Sequence, residues 1–502
     1  MPRAACVLFV SLLLIAVSAT PQTIDGAAVD RIMNTAMSQW HVPGAALAVV
    51  ENDKVVYLKG YGVKDIVTAE RVTANTLFNI ASMTKAFTAT AMAMLVDEGK
   101  LDWDDPVRQH LPYFRLSDPC ADAAVTLRDL LSHRTGLAGY DALWDNSLLG
   151  REEVIRRMAS VKPAKPFRSS YRYNNIMFIA AGEAVAATAG VSWDSFVQKR
   201  ILDPLGMADT RMTLAGYTAV DHAIGYRWDG ATSGVTPYGL VDDSNLGPAG
   251  EIKSSARDMA QWVRFHLANG SIDGKRLVSA QALGETKQPN SVIRLEPSDQ
   301  AGSPVTHLDS YGMGWGLQDY RGELLISHGG ALNGFRGTVA LLPERNIGFV
   351  ILDNLGRGSA VTAMRDGLLD LFLATRDVRN WNALLLEAEH KSDVKADVEK
   401  LKLLASRVPN TRPSHDLSAY GGTYEEPAYG AATVSRDGDH LVLRWQRMVI
   451  PLEYFHYDTF RAVSPPDDVD DQVTFRTAAD GTIAGMTFMG VEFSRHADKP
   501  PK

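Results

Sequence analysis

Three short stretches of the chain carry residue types able to do chemistry together. The first is Ser82–Lys85, in "NIASMTKAFTA". A serine hydroxyl is a weak nucleophile until a nearby base takes its proton. A lysine serves as that base when its ammonium is desolvated or held beside another charge that lowers its pKa. Residues three apart share a helix face, and the neighbours Met83, Ala86 and Phe87 suit a dry setting. The same spacing also suits a serine that caps a helix and a lysine that extends to water. Roughly one or two chance matches to Ser-x-x-Lys are expected at this composition. A second one, Ser392–Lys395, lies among Glu, Asp and Lys in "LLLEAEHKSDVKADVEKLKLLA", a solvated face where nothing would shift its acidity.

The second stretch is "SSYRYNNIMFIAAGEAV". Among 16 tyrosines only Tyr173 has an asparagine two residues on, at Asn175. A tyrosine beside an ammonium is stabilised as phenolate and accepts a proton at moderate pH. The asparagine amide offers an acceptor to a lysine and donors to a substrate amide. The alternative is a tyrosine packed before a helix, with Asn175 in the first turn. The third stretch is "ISHGGALNGF", read as a strand ending at His328, after which Gly329 and Gly330 let a ligand approach the backbone. A backbone N–H there, with that of Ser82, would form an oxyanion hole; the alternative is a glycine-rich strand exit with a surface histidine. A rival to this third motif, Arg134–Thr135–Gly136 in "LLSHRTGL", precedes Tyr173 and ends a helical segment, so it reads as a C-cap.

The elements that must position these residues alternate in kind. Gly44 to Val63 reads as two strands around Asn52–Asp53. From Ser82 the pattern is helical and stops at Gly99, and Val125 to Leu267 is mostly helical. "MGWGLQDYRGELLISHGGALNGFRGTVALLPERNIGFVILDN" reads as a strand meander broken at Arg321–Gly322, at Gly329–Gly330 and around Pro343–Asn346. Strands at both ends with helices between predict an α/β (α+β) architecture: one antiparallel sheet, built from early and late segments and flanked by helices. A charged amphipathic helix follows between Arg376 and Val408. Short strands with turns at Asp437–Gly438 and Asp480–Gly481 then predict a separate all-β module, a small barrel or sandwich.

In this order, Ser82/Lys85, Tyr173/Asn175 and His328–Gly330 resemble the motifs of the serine β-lactamase and penicillin-binding-protein-like hydrolases. The likeness is greatest to the branch of class C β-lactamases and D-alanyl-D-alanine carboxypeptidases and esterases. "TLRDLLSHRTGL", "ILDPLGMADT", "GPAGEIKSSARDMAQW" and "YGMGWGL" look like framework segments of the same family. The resemblance implies a β-lactamase/transpeptidase-like fold and an acyl-enzyme on Ser82. It implies Lys85 as proton partner, Tyr173 as base or shuttle, and Asn175 in contact with Lys85 and substrate. His328 would head the third motif, ahead of Gly330, and the N–H groups of Ser82 and Ala331 would make the oxyanion hole. The third motif departs from the usual Lys followed by Thr or Ser: His328–Gly329 lacks the permanent charge and the hydroxyl. That favours esters or peptides, including D-amino-acid peptides, over β-lactams, with Arg336 as a candidate replacement cation. "YGGTYEE" and "LEYFHYDTFRA" resemble a lipocalin-like β domain, which in related proteins shapes the site entrance or assists homo-oligomerisation.

Composition bounds the rest. With 502 residues, 45% hydrophobic and 22% charged, the chain is globular and long enough for more than one domain. The expected division is a signal peptide over 1–20, a hydrolase domain over 21–375, a helical linker over 376–412 and the small all-β domain over 413–502. A net charge of -8 leaves no basic footprint for nucleic acid. Arg3, the apolar stretch from Ala4 to Val17 and the small residues Ser18–Thr20 resemble a cleavable secretory signal. A secreted or periplasmic protein without a membrane span is therefore expected. Of two cysteines, Cys6 would leave with the signal and Cys120 would remain unpaired and half-buried. No spacing supports a metal site, and no cofactor is expected. The reading is an exported serine hydrolase cleaving an ester or amide, with esterase, D-amino-acid peptidase or weak β-lactamase activity. Its alternatives are a penicillin-binding protein with D,D-carboxypeptidase activity and a non-catalytic binding scaffold.

Overall fold

Asn52 and Asp53 both adopt the left-handed conformation (φ 50° and 63°) and close the hairpin between β1 (Gly44–Glu51) and β2 (Lys54–Gly62). Two such residues match the twist of the flanking strands, and Asn and Asp tolerate the conformation better than most side chains. The structure is a computed structural model that describes residues 24–230, 232, 234–296, 304–464 and 469–496. The expected signal segment and Cys6 lie outside the described residues.

Strand β1 also pairs antiparallel with a strand from far along the chain, Ala45 opposite Asp353 and Glu51 opposite Ile347. The strands involved are β3 (Ser291–Ile293), β4 (Asp309–Tyr311), β5 (Gly316–Tyr320), β6 (Glu323–Leu332), β7 (Phe335–Leu342) and β8 (Ile347–Asp353). With the first two they form an eight-stranded sheet in the order β2-β1-β8-β7-β6-β5-β4-β3. This is the antiparallel sheet of early and late segments that the sequence predicts. Its central strands read as unbroken apolar runs because both faces are covered. Ala46, Ala48 and Val50 enter one core, with Phe87 and Trp262; Ala45, Leu47 and Val49 enter another, with Trp40 and Leu369.

On the first face lies α2 (Thr84–Asp97), in which every residue from Thr84 to Leu95 is buried. A helix apolar all round belongs in a core, and it carries Lys85 there with it. Phe87 stacks on Trp262 of α4 (Ala256–Leu267) with ring centroids 3.7 Å apart. Truncating such a buried ring costs about 3–5 kcal/mol. Helix α3 (Asn175–Ala189) packs on the same core; the opposite face is covered by α1 (Gly26–Trp40) and α5 (Gly358–Phe372).

The meander departs from the sequence reading at one place. Strand β6 does not end at His328 but runs through Gly329 and Gly330 to Leu332, and the turn falls at Asn333–Gly334 (φ 47° and 80°). These two glycines keep extended backbone. At Gly330 a Cβ would lie 2.2 Å from the carbonyl oxygen of Ile80, so close packing, not a chain reversal, excludes a side chain there.

Helix α6 (Trp381–Ala405) buries only Trp381 and Leu385. The expected amphipathic stripe is confined to its first turns, and the remainder is a charged rod with pairs such as Lys391–Glu387 at 2.6 Å. Beyond it, β9 (Gly422–Glu426), β10 (Gly430–Asp437), β11 (His440–Trp445), β12 (Met448–His456), β13 (Thr459–Ser464), β14 (Val469–Thr477), β15 (Ile483–Phe488) and β16 (Val491–Arg495) close into a barrel. Its lumen is packed with side chains, among them Tyr420, Tyr424, Trp445, Phe475 and Phe493. Cys120 is exposed instead of half-buried, in a short helix capped by Asp118.

Candidate active site

Ser82 lies in a tight turn, Ala81–Met83, that feeds directly into α2. The turn is pinned from both sides. Ala81 N–H donates to Asn79 Oδ1 at 2.8 Å, and Ile80 N–H donates to the Ile252 carbonyl at 3.0 Å. Phe78–Asn79 pairs with Lys253–Ser254. Ala81 takes φ 47°, a strained value for alanine, and such strain persists only where the surroundings hold it in place.

The helical turn brings Lys85 Nζ to 3.0 Å from Ser82 Oγ. Nζ also donates to Asn175 Oδ1 and to the Ala249 carbonyl, both at 2.7 Å. Lys85 is wholly buried, and this desolvation pushes its pKa well below the ordinary lysine value, opposed by the charge of Asp141. In the amine form, two N–H donors satisfy Asn175 and Ala249, leaving the nitrogen lone pair for the Ser82 hydroxyl.

Desolvation raises the pKa of Tyr173, opposed in part by the neighbouring Ser82 hydroxyl. The tyrosine ring lies under Lys85 Nζ, 4.8 Å from the centroid. The sequence-based expectation of a phenolate beside an ammonium is thus reversed: both shifts favour neutral amine and neutral phenol. Asn174 caps α3 by accepting from Met177 N–H at 3.0 Å, which leaves Asn175 as the first helical residue. Asn175 Nδ2 donates to Asp141 Oδ1 at 3.1 Å. The amide is thereby oriented, with oxygen toward Lys85.

His328, on β6, donates through Nδ1 to the Gly329 carbonyl at 2.7 Å and accepts at Nε2 from Tyr311 Oη at 2.8 Å. Burial lowers its pKa to about 3, so the ring is neutral. Gly330 lies flush against the Ile80 carbonyl, which seats this half of β6 beside the Ser82 turn, and Ala331 follows at an exposed position. Arg336 does not supply a cation here. Along β7, Phe335 and Val339 enter the core shared with α2, while Ala340 and Leu342 enter the opposite one. Strand alternation therefore puts Arg336 on the far face, opposite Asp353 and close to Gly358.

Sequence reasoning missed four participants. His133 packs against Tyr173 (ring centroids 4.3 Å), Tyr311 (4.8 Å) and Phe178 (5.0 Å). Its Nδ1 accepts from Asn174 N–H at 3.1 Å, and its Nε2 is buried without a partner. It belongs to "LLSHRTGL", where the helix stops at Leu131 and Gly136 lies in the following loop; that segment is therefore not a simple cap. Tyr311 and the Ala249 carbonyl come from "YGMGWGL" and "GPAGEIKSSARDMAQW", which resemble family framework segments. Asp141 had no signal at all. Among the described residues no group of three or more His, Cys, Asp or Glu side chains is placed to hold a metal ion, and no single helix is long and apolar enough to cross a membrane.

Comparison with known proteins gives the family and the fold. A family model described as Beta-lactamase matches residues 29–372, and one described as a domain of unknown function (DUF3471) matches residues 406–499. The chain is 30% identical over 444 residues to the Unguisins hydrolase ungD of Aspergillus violaceofuscus, covering 81% of this chain and 76% of that protein. In fold it resembles the octameric penicillin-binding protein homologue from Pyrococcus abyssi, with TM-score 0.61 and 22% identity over 94% of this chain and 100% of that one. It also resembles a beta-lactamase from Sulfitobacter sp. EE-36, with TM-score 0.57 and 24% identity over 70% of this chain and 98% of that one.

Proposed function

The chain belongs to the Beta-lactamase family and is a serine hydrolase; on that premise we propose that Ser82 is its acylated nucleophile and that Lys85, as a free amine, is the base. The observation that carries this reading is Lys85 Nζ, fully buried and 3.0 Å from Ser82 Oγ. Lys85 takes the hydroxyl proton as Oγ attacks the substrate acyl carbon. The N–H groups of Ser82 and Ala331 receive the oxyanion. The bond to the leaving alcohol or amine breaks as Tyr173 gives it a proton, and Tyr173 recovers one from Lys85. Water then attacks the acyl-enzyme by the reverse relay, releasing the carboxylic acid and restoring Ser82.

The neutral His328 and the placement of Arg336 on the far face leave the third motif without a permanent cation. That favours neutral esters and amides, D-amino-acid peptides among them, over β-lactams, whose carboxylate calls for a positive partner. The protein acts after export, a reading supported by the signal-like residues 1–20.

The test is intact-mass analysis over time with a fluorophosphonate and, separately, a penicillin, with Ser82→Ala as control. A Ser82-dependent adduct with the fluorophosphonate and a short-lived or absent penicillin adduct are expected. A penicillin adduct that persists for hours would make the protein a penicillin-binding protein. No adduct with either reagent would leave the fold as a scaffold.

A further inference from the structure

The C-terminal barrel meets the hydrolase domain at the loop that supports Asn175. Strands β11 and β12 form a hairpin, Trp445 opposite Met448, closed by Gln446 and Arg447. Gln446 is held at φ 55°, a conformation that two-residue hairpins ordinarily give to glycine or asparagine. Its Nε2 donates to the Ala142 carbonyl at 2.6 Å, and its Oε1 is buried without a partner. Arg447 N–H donates to the Asn146 carbonyl at 3.0 Å, and Arg447 Nη1 to the Asp242 carbonyl at 3.1 Å. A second contact lies alongside: Arg157 Nη1 donates to the Ala428 carbonyl at 3.0 Å, and Tyr429 packs into both the barrel core and the hydrolase core. Ala142 itself packs on the barrel core.

The loop held in this way carries Asp141. Its Oδ1 accepts from Trp144 Nε1 at 2.8 Å and from Asn175 Nδ2 at 3.1 Å. An asparagine amide has a donor end and an acceptor end of nearly the same shape. A carboxylate can accept only from the NH2 end, so Asp141 dictates that the oxygen faces Lys85. If the carboxylate moved away, the amide could rotate and present N–H groups to Nζ, and one of the two 2.7 Å acceptors that orient the lysine would be lost. A non-glycine turn residue strained at an interface, with its side chain committed across it, is what a built support contains.

We propose that Gln446 and Asp141 are positioning residues: the barrel hairpin fixes the Asp141 loop, Asp141 fixes the Asn175 amide, and Asn175 sets Lys85 Nζ against Ser82. The proposal rests on the reading of Lys85 as the proton acceptor for Ser82. The titratable and charged groups that act on Lys85 and its neighbours are Tyr173, His133, His328 and Asp141. Of these only Asp141 favours the charged lysine, so displacing it lowers the pH at which the amine forms.

The test uses full-length Gln446→Met, Asp141→Asn and the double variant. Their rate of labelling by a fluorophosphonate is followed across pH, with thermal melting alongside. Arg444→Gln is the control, since Arg444 lies on the barrel wall and bonds Ser435 at 2.8 Å. Asp141→Asn should slow labelling about 10–30-fold and Gln446→Met about 5–10-fold, the scale of one or two lost hydrogen bonds. The double variant should be no slower than Asp141→Asn alone, as expected of residues acting in series. In both single variants the acid limb of the profile should move to lower pH, which a merely looser fold would not produce. Arg444→Gln should label as the parent does. Unchanged labelling in Gln446→Met, or additive losses in the double variant, would overturn the proposal. Labelling that survives Lys85→Met would overturn it together with the reading of Lys85. A Lys85→Met variant that fails to label, beside an unaffected Gln446→Met, would refute the barrel's role alone.

Discussion

Gly329 and Gly330 are neighbours in one strand, yet the structure assigns them opposite tolerances. A Cβ built on Gly330 would sit 2.2 Å from the Ile80 carbonyl oxygen, 3.1 Å from its carbon and 3.4 Å from Ala81 Cβ. The first contact is to backbone and cannot rotate away. In Gly330→Ala that distance must open from 2.2 Å to at least 3.0 Å, which drives β6 away from the Ser82 turn. The overpacking itself costs about 1–3 kcal/mol of stability. The functional loss is larger, because the N–H of Ala331 moves with the strand away from the Ser82 N–H that it must match. Loss of one oxyanion donor slows acylation by about 10²–10³-fold. At Gly329 the one atom within 4 Å of a Cβ, among the described residues other than its chain neighbours, is the Gly337 oxygen, at 3.7 Å, and the position is exposed. Gly329→Ala should therefore acylate within about twofold of the parent and melt within ~0.5 kcal/mol of it. Stopped-flow acylation with an activated ester, read beside thermal melts, separates the two effects. Equal acylation rates for the two variants would refute the placement of the oxyanion hole.

Three further outcomes follow from the same physics. Lys85→Met should slow acylation by about 10²–10⁴-fold, the span of general-base catalysis. Because burial depresses the lysine pKa, the amine form prevails above that depressed value, so the parent's rate should fall as pH drops through it, and this acid limb should vanish in the variant. Tyr311→Phe removes the donor to His328 Nε2 and leaves a buried ring nitrogen unpaired, a loss of about 1–3 kcal/mol visible in denaturant unfolding. Finally, burial raises the carboxyls of Asp353 to about 8, Glu251 to about 7 and Asp243 to about 6. The folded state therefore holds protons that the unfolded chain releases near its ordinary value of about 4, so these groups favour folding below pH ~4 and withdraw that support as pH rises toward 8. Asp353→Asn, which keeps an acceptor for Leu355 N–H, should melt closer to the parent at pH 4 than at pH 8 and above it at pH 8. A constant offset across that range would count against a buried, protonated Asp353.

The features legible in the chain are those that local chemistry controls. The Asn52–Asp53 hairpin, the uninterrupted apolar strands and the buried helix after Ser82 follow from turn propensity and side-chain pattern, whereas three-residue spacing allows Ser82 to meet Lys85 without requiring it. The meeting of Asn175 with Lys85, 90 positions apart, came from the resemblance of ordered motifs, not from spacing. The rest is set by which face of a strand or loop meets which neighbour. Two glycines in a row read as a break, but here packing against Ile80 requires one of them inside a continuous strand. Arg336 lies five residues after Ala331, yet strand alternation turns it to the far side of the sheet. His133, Tyr311 and Asp141 reach the site through ring packing and single hydrogen bonds between segments far apart in the chain, and no local pattern encodes such contacts. The signs of the pKa shifts belong to the same class. A lysine in the sequence is a cation by default, and only the closed core around α2, which removes its water, lowers the pKa of Lys85.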